Sequence, residues 1–208
     1  MTEAPKTRRK RADGEQSRER ILDAATEIAS ERGYEGTSIG LVSKKCGLPA
    51  SSIYWHFKDK DDLLAAVIER SFGDWLRAWE LPDAGEPRER VTNMATQIAK
   101  ALLDNPDFLR IGLMLGLERR PVEPRAREMF LSTRTQAAES LQAALSDMAE
   151  GLDAAQIQLL VAYAIAGADG LFIAREIGGD SVDLLALFEI HAISLYETAI
   201  RMIAEQNR

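Results

Sequence analysis

The 208-residue chain is poor in the residues that most often do chemistry: it has one cysteine, Cys46, and two histidines, His56 and His191. A lone cysteine excludes an internal disulfide and fits a reducing compartment, so a cytoplasmic location is expected. HExxH, CxxC, phosphate-loop and dinucleotide-binding patterns are all missing, which leaves little material for a triad or a metal site. Neither an enzyme nor a cofactor is expected. No uninterrupted apolar run reaches the ~18 residues of a membrane span. The basic N-terminus runs into RADGEQSRER rather than an apolar stretch, so neither a signal peptide nor a membrane partner is expected. Strand-like alternation and internal repeats are absent too. What is present is 46% hydrophobic residues, spaced three and four apart. That spacing predicts an all-α fold.

The formal net charge is −7, which alone argues against nucleic acid. Its distribution argues the other way. Residues 1–60 hold 12 Lys/Arg against 9 Asp/Glu, while the remainder holds 14 against 24. A basic head on an acidic body keeps any contact with DNA confined to the head. Residues 1–14, MTEAPKTRRKRADG, read as a flexible basic arm. It is either a solvated tail or a segment placing Arg8, Arg9 and Arg11 in a minor groove.

A helix is predicted from Glu15 to Arg32, with Ile21, Leu22, Ala25, Ile28 and Ala29 on one stripe and Gly33 as its stop. Residues 37–64, TSIGLVSKKCGLPASSIYWHFKDKDDLL, follow. Thr37 is expected to cap a short helix over 38–45 that turns Ile39, Val42 and Cys46 inward. Gly47 suits the left-handed turn after it, and Pro49 opens a second short helix. Ile53 and Phe57 then face inward, leaving Ala50, Ser51, Ser52, Tyr54 and Trp55 outward. Two short helices about a glycine turn, the second with a small polar N-terminal end, make a helix-turn-helix whose exposed end enters a DNA major groove. Lys60 stands in the first turn of the next helix, where its ammonium opposes the helix dipole, so a phosphate partner would explain it. Asp59 is the expected cap of that helix. Cys46 reads as a small core residue, with a redox switch as the other reading.

Thr37, Cys46-Gly47-Leu48, Ile53-Tyr54-Trp55-His56-Phe57 and Lys60 with Leu63 resemble the signature of the TetR/AcrR family of regulators. The resemblance covers roughly residues 15–64. It implies base-edge positions for Ser51 and Ser52, a methyl contact for Ala50, and phosphate contacts for Tyr54, His56, Lys60 and the helix terminus at Thr37. In that pattern the position of Trp55 lies against backbone or a base methyl. For the two serines the alternative is simple permission of close approach; for His56 it is a packed, hydrogen-bonded ring. Gly40, Leu41, Ser43, Cys46 and Ala50 depart from the usual pattern.

Residues 15–60 are thus expected to form the DNA-binding domain, and 61–208 a helical ligand-binding and dimerisation body, about nine helices in all. A break falls at LPDAGEP, residues 81–87. Body helices are expected near 88–104, 108–117, 125–148, 154–177 and 182–205, with Asp153 and Ser181 as caps. The resemblance implies a homodimer on a palindromic double-stranded DNA operator, released by a small, largely apolar effector. The pocket candidates are Trp75, Trp79, Met94, Ile98, Phe108, Met114, Met129, Phe130 and Phe172. Asp169 needs a partner if buried, with Arg134 and Arg175 in reach. Tyr163, Gly167, Leu171, Leu184, Phe188, His191 and Leu195 are the expected dimer interface. The competing reading is an architectural or partner-regulated DNA-binding protein without a small-molecule ligand.

Overall fold

A computed structural model describes residues 5–78, 85–117, 124–148 and 151–206, with side chains from residue 13 onward. Among the described residues there are nine α-helices and no strand. They are α1 (Pro5–Gly36), α2 (Ile39–Cys46), α3 (Ala50–His56), α4 (Lys60–Arg77), α5 (Pro87–Asp104), α6 (Asp107–Leu117), α7 (Arg125–Met148), α8 (Ala154–Gly178) and α9 (Leu184–Gln206). The stretch read as a flexible arm is helical from Pro5, because its Lys, Arg and Ala residues are good helix formers and nothing before Gly14 breaks the run. Gly33 takes φ 67° and ends the regular helix, as its position predicts.

The chain divides into two compact units. The first comprises the described residues up to Phe72 together with Asp107–Ser132, and the second Gly73–Pro106 with the described residues from Thr133. The head therefore carries α6 and the start of α7 as well as the helix-turn-helix. A reading in chain order assigns contiguous segments and does not anticipate this return.

In the first unit the α1 stripe is buried throughout, at Ile21, Leu22, Ala25, Ile28 and Ala29, as are Val42 of α2, Ile53 of α3 and Leu63, Leu64, Val67 and Ile68 of α4. Each such aliphatic side chain contributes about 1.5–3 kcal/mol by leaving water. Arg70 of α4 reaches Glu19, Asp23 and Thr26 of α1 at 2.9, 2.8 and 3.1 Å. Phe108 lies 5.0 Å from Phe72 and 5.7 Å from Phe130, ring centre to ring centre. The Phe130 ring fills the space a side chain at Gly112 would need, so α6 accepts α7 closely there.

In the second unit α9 packs on α5 and α8. Leu145, Ile157, Leu160, Val161, Ala164, Leu195 and Ala199 form the cluster between α7, α8 and α9. Asp153 and Gln156 close a reciprocal capping box at the start of α8. The cap of α9 is Asp183, which accepts from the Ala186 N–H at 3.0 Å, and not the expected Ser181. The Ser181 hydroxyl is turned to the Gly178 carbonyl inside a 3-10 turn over Gly179–Ser181. Asp169 finds Arg134, whose two terminal nitrogens donate to its two oxygens at 2.9 and 2.6 Å. Arg175 instead ties off the 3-10 turn through Gly179, Val182 and Asp180.

One composition reading needs correction. The segment Ala154–Ser181 is long and apolar enough to cross a membrane by length and composition, although 28% of its apolar window is buried. Interruption by single polar residues hid this from a search for unbroken apolar runs. Inside the unit the helix packs on α9 and carries the Asp169–Arg134 pair.

The same substitution at two glycines is expected to act in opposite directions. Gly40 of α2 is exposed, and its nearest neighbour to a new methyl is Ser38 Oγ at 4.0 Å. Gly40→Ala should raise unfolding free energy by about 0.5–1 kcal/mol. Gly112→Ala should lower it by about 1–3 kcal/mol through overpacking against Phe130. Removing the α8 cap with Asp153→Ala should lower it by about 0.5–2 kcal/mol. Denaturant unfolding of the three variants checks both sign and order.

Candidate nucleic-acid interface

The α2–α3 pair is built by a short chain of polar contacts around one apolar seam. Ser38, rather than Thr37, caps α2, its hydroxyl accepting from the Leu41 N–H at 3.3 Å. Gly47 ends α2 in the left-handed region at φ 67°, ψ 22°. A guanidinium nitrogen of Arg20 donates to the Cys46 carbonyl at 2.6 Å, satisfying the end of α2 from α1. Ser43, unusual at its position, donates to the Leu48 carbonyl at 2.7 Å and so bridges the turn. Val42 and Cys46 of α2 and Ile53 of α3 are buried beneath the turn, with Phe57 after them. Cys46 is therefore a small core residue.

Helix α3 has only seven residues and begins directly after Pro49. With Ile53 and Phe57 pointing inward, Ser51, Tyr54 and Trp55 must point out, and all three are exposed. Ala50, Ser52 and His56 are half-buried beside them. Trp55 is 76% exposed, and its ring meets His56 edge-on at 4.5 Å. A large aromatic left in water forgoes burial worth a few kcal/mol, which marks this face as one built to meet something. The His56 imidazole is held below its ordinary pKa, first by partial burial and then by the Arg18 charge. Arg18 itself lies over the Phe57 ring, 5.5 Å from its centre. His56 is therefore neutral near pH 7.

Two expected DNA ligands have other employment. Thr37 is 1% exposed, and its hydroxyl donates to the Gly33 carbonyl at 2.7 Å, so its side chain is no phosphate ligand. Lys60 donates to the Tyr34 carbonyl at 3.1 Å, lies 4.1 Å from the centre of the Tyr34 ring, and stands 3.8 Å from Glu35. These protein partners account for an ammonium at an unfavourable helix end. Of the nearby lysines, Lys45 forms an ion pair with Glu27.

The pocket candidates divide between the two units. Phe108, Met114, Met129 and Phe130 belong to the first unit, and Trp75, Met94, Ile98, Asp169 and Phe172 to the second. Trp79 lies outside the described residues. Phe108, Phe130, Trp75, Met94 and Phe172 are buried, whereas Met114 is 45% exposed with its methyl against Gly33. Met129 lines a surface cleft of about 180 Å³ shared with Arg18, His56 and Arg125.

The dimer set also divides. Leu184, Phe188 and Leu195 are buried within this chain and are corrected to core residues. Gly167 is filled by the His191 ring, whose Nε2 lies 3.0 Å from the Ala164 carbonyl. Leu171 is half-buried, and Tyr163 alone of the set is exposed. The outward stripe on α8 is Leu159, Tyr163, Ala166, Gly170, Ile173 and Ile177, spaced alternately four and three; of these, sequence reasoning misses Ile173 and Ile177. On α9, Ile190 and Ile200 are exposed as well. Their heptad spacing was readable, but both helices are apolar on more than one side, and spacing alone does not say which side the chain itself covers.

Comparison with known proteins agrees with this geometry. The model of the family "Bacterial regulatory proteins, tetR family" matches residues 21–67. An HTH-type transcriptional repressor of Mycobacterium tuberculosis is 35% identical over 106 residues, which cover 51% of this chain and 41% of that protein. A fatty acid metabolism regulator protein of Bacillus subtilis is 29% identical over 109 residues, covering 51% and 56%. Alignment with these relatives thus spans about half their length. Among solved structures, a transcriptional regulator of Rhodococcus sp. Rha1 superimposes with a TM-score of 0.71 at 21% identity, covering 87% of this chain and 96% of that one. The regulator FadR of Bacillus subtilis, solved with stearoyl-CoA, gives 0.70 at 21%, covering 85% and 96%. These neighbours share the fold. The match to the TetR family of bacterial regulatory proteins thus falls on the helix-turn-helix, where the exposed α3 face lies, and there this chain is similar to that family.

Proposed function

We propose that this chain is a dimeric, sequence-specific DNA-binding transcriptional regulator, a repressor released from a palindromic operator by a small, largely apolar ligand. The observation that carries the reading is the outward face of α3, where Ser51, Tyr54 and Trp55 stand exposed above the buried Ile53 and Phe57. Ser51 and Ser52 meet base edges, where a hydroxyl both donates and accepts. Ala50 offers a methyl contact. Tyr54 and His56 hold phosphates, Trp55 packs on backbone or a base methyl, and Lys60 adds charge at the same end. A cytoplasmic location follows from that role.

Two such heads need two chains. The α8 stripe from Leu159 to Ile177, where Ile177 is 83% exposed, supports a second copy as its cover. Gly170 has open space above it, which suits close helix approach. Paired half-sites one helical turn apart, or a multiple, then follow from two-fold symmetry. For the ligand, a long-chain acyl thioester is the first compound to try, because one relative is named a fatty acid metabolism regulator and one structural neighbour was solved with stearoyl-CoA. Release requires that the ligand favour the non-binding state; shifting a 1:99 mixture to 99:1 takes about 5.5 kcal/mol of differential affinity. Burial of Phe108, Phe130, Met94 and Phe172 within packed cores favours the ligand-free alternative, a partner-regulated DNA-binding protein. Titration of the operator complex with acyl thioesters separates the two: loss of DNA binding supports the effector, and its persistence supports the alternative.

Selection of duplexes from a random pool at physiological salt should enrich a palindrome; absence of enrichment contradicts the reading. On the selected duplex, Tyr54→Ala should weaken binding about tenfold on all sequences and flatten the salt dependence, while Ser52→Ala should change preference at one position per half-site. Phosphate beside His56 should raise its depressed pKa. Binding would then take up a proton, and affinity should rise as pH falls through the range below His56's ordinary 6.5. An NMR titration of the imidazole with and without duplex checks the direction. Ile173→Glu should place a charge in the α8 stripe and convert a micromolar solution from dimer to monomer in analytical ultracentrifugation, leaving helicity intact.

A further inference from the structure

Helix α7 begins, among the described residues, directly after one that cannot cap it by its side chain. The residue before it is Pro124, which has no side-chain acceptor for the free N–H groups at a helix start. Asp61, 63 and more residues earlier in the chain, stands in for the cap. One of its oxygens accepts from the Arg125 N–H at 2.6 Å and the other from the Ala126 N–H at 3.2 Å. The Tyr34 hydroxyl donates to the same carboxylate at 3.3 Å. Beside it Asp62 accepts from the Arg125 guanidinium and, through its second oxygen, from the Lys58 N–H at 3.1 Å. Asp59 accepts from the Asp62 N–H at 2.8 Å. Only Phe57, Lys58 and Asp59 separate α4, which carries Asp61 and Asp62, from α3. One half-buried carboxylate therefore joins the start of α7, the start of α4 and the last turn of α1, a few residues along the chain from α3.

We propose that Asp61 is a positioning residue for DNA recognition: as the cap of α7 supplied from α4, it holds α3 at a set angle to α7 and couples order at the start of α7 to occupancy of the α3 face. The inference rests on the DNA-binding reading above. A carboxylate has two acceptors for two N–H donors, and its charge complements the positive end of the α7 dipole. An amide in its place offers one acceptor and sets an NH2 against the second donor. With the cap gone, α7 frays at its first turn, Arg125 loses its seat, and α3 must be ordered by the DNA itself. Coupling of this kind is reciprocal, so DNA on α3 must tighten the α7 cap.

Electrostatics and positioning give opposite signs here. Deleting a negative charge near a phosphate-binding face should by itself tighten DNA binding. The positioning role predicts that Asp61→Asn weakens binding to the selected duplex at least tenfold, with the salt dependence unchanged because no phosphate contact is lost. Asp153→Ala, a lost cap in the other unit, controls for general destabilisation and should leave duplex affinity within twofold. A second measurement needs no variant: amide exchange at Arg125 and Ala126 in the wild-type chain should slow severalfold when duplex binds. Wild-type affinity or tighter binding in Asp61→Asn, or exchange at Ala126 that ignores bound duplex, overturns the inference and leaves the DNA-binding reading standing. A wild-type chain that binds no duplex overturns both.

Discussion

Everything proposed for this chain depends on the burial of Ile53 and Phe57. A seven-residue helix is too short to persist alone, since nucleation costs more than a turn or two of hydrogen bonds returns. Helix α3 exists because these two side chains, four residues apart, are buried where α3 packs on α1 and α2. Their direction fixes the direction of every other residue on the helix. Once they point inward, Ser51, Tyr54 and Trp55 have nowhere to go but out. Gly47 and the Arg20 contact to Cys46 set the bend, and Asp61 and Asp62 tie the start of the next helix, α4, to α7. The recognition surface is the exposed side of a small, tightly tied core.

That dependence explains which parts of the chain were legible in sequence. The α1 stripe, the inward pair of α3 and the capping roles of Asp59 and Asp153 are local patterns with one reading each, and the structure places them as read. Thr37 failed because two adjacent hydroxyl residues compete for one cap. Ser38 won it, and Thr37 turned back to Gly33. Ser181 lost to Asp183 because α9 starts two residues later than expected, which puts the Asp183 carboxylate at the cap position. For Lys60 the sequence suggests a phosphate partner, because Tyr34 and Glu35 lie 25 and more residues away in sequence and meet it only after folding. The Asp61 cap on α7 is invisible for the same cause: Pro124 shows that a cap is missing but not who supplies it.

The body poses a different problem. In α8 apolar residues occupy almost the whole circumference, so a period of 3.6 identifies the helix without identifying its inner side. Leu184, Phe188 and Leu195 of α9 were assigned to a partner and instead complete the chain's own core. The outward stripe lies elsewhere, at Leu159, Tyr163, Ile173 and Ile177. Pocket residues are harder still, because a methionine or phenylalanine that lines a cavity and one that fills a core look alike in sequence.

The central claim is that the outer face of α3 is the surface that meets DNA. A chain carrying Trp75→Phe and Trp79→Phe retains Trp55 as its one tryptophan, and its fluorescence reports that face directly. Bound duplex, monitored independently by the anisotropy of labelled DNA, should quench Trp55 emission and shield it from a collisional quencher. Trp55 left as accessible in the complex as in the free protein would contradict the account.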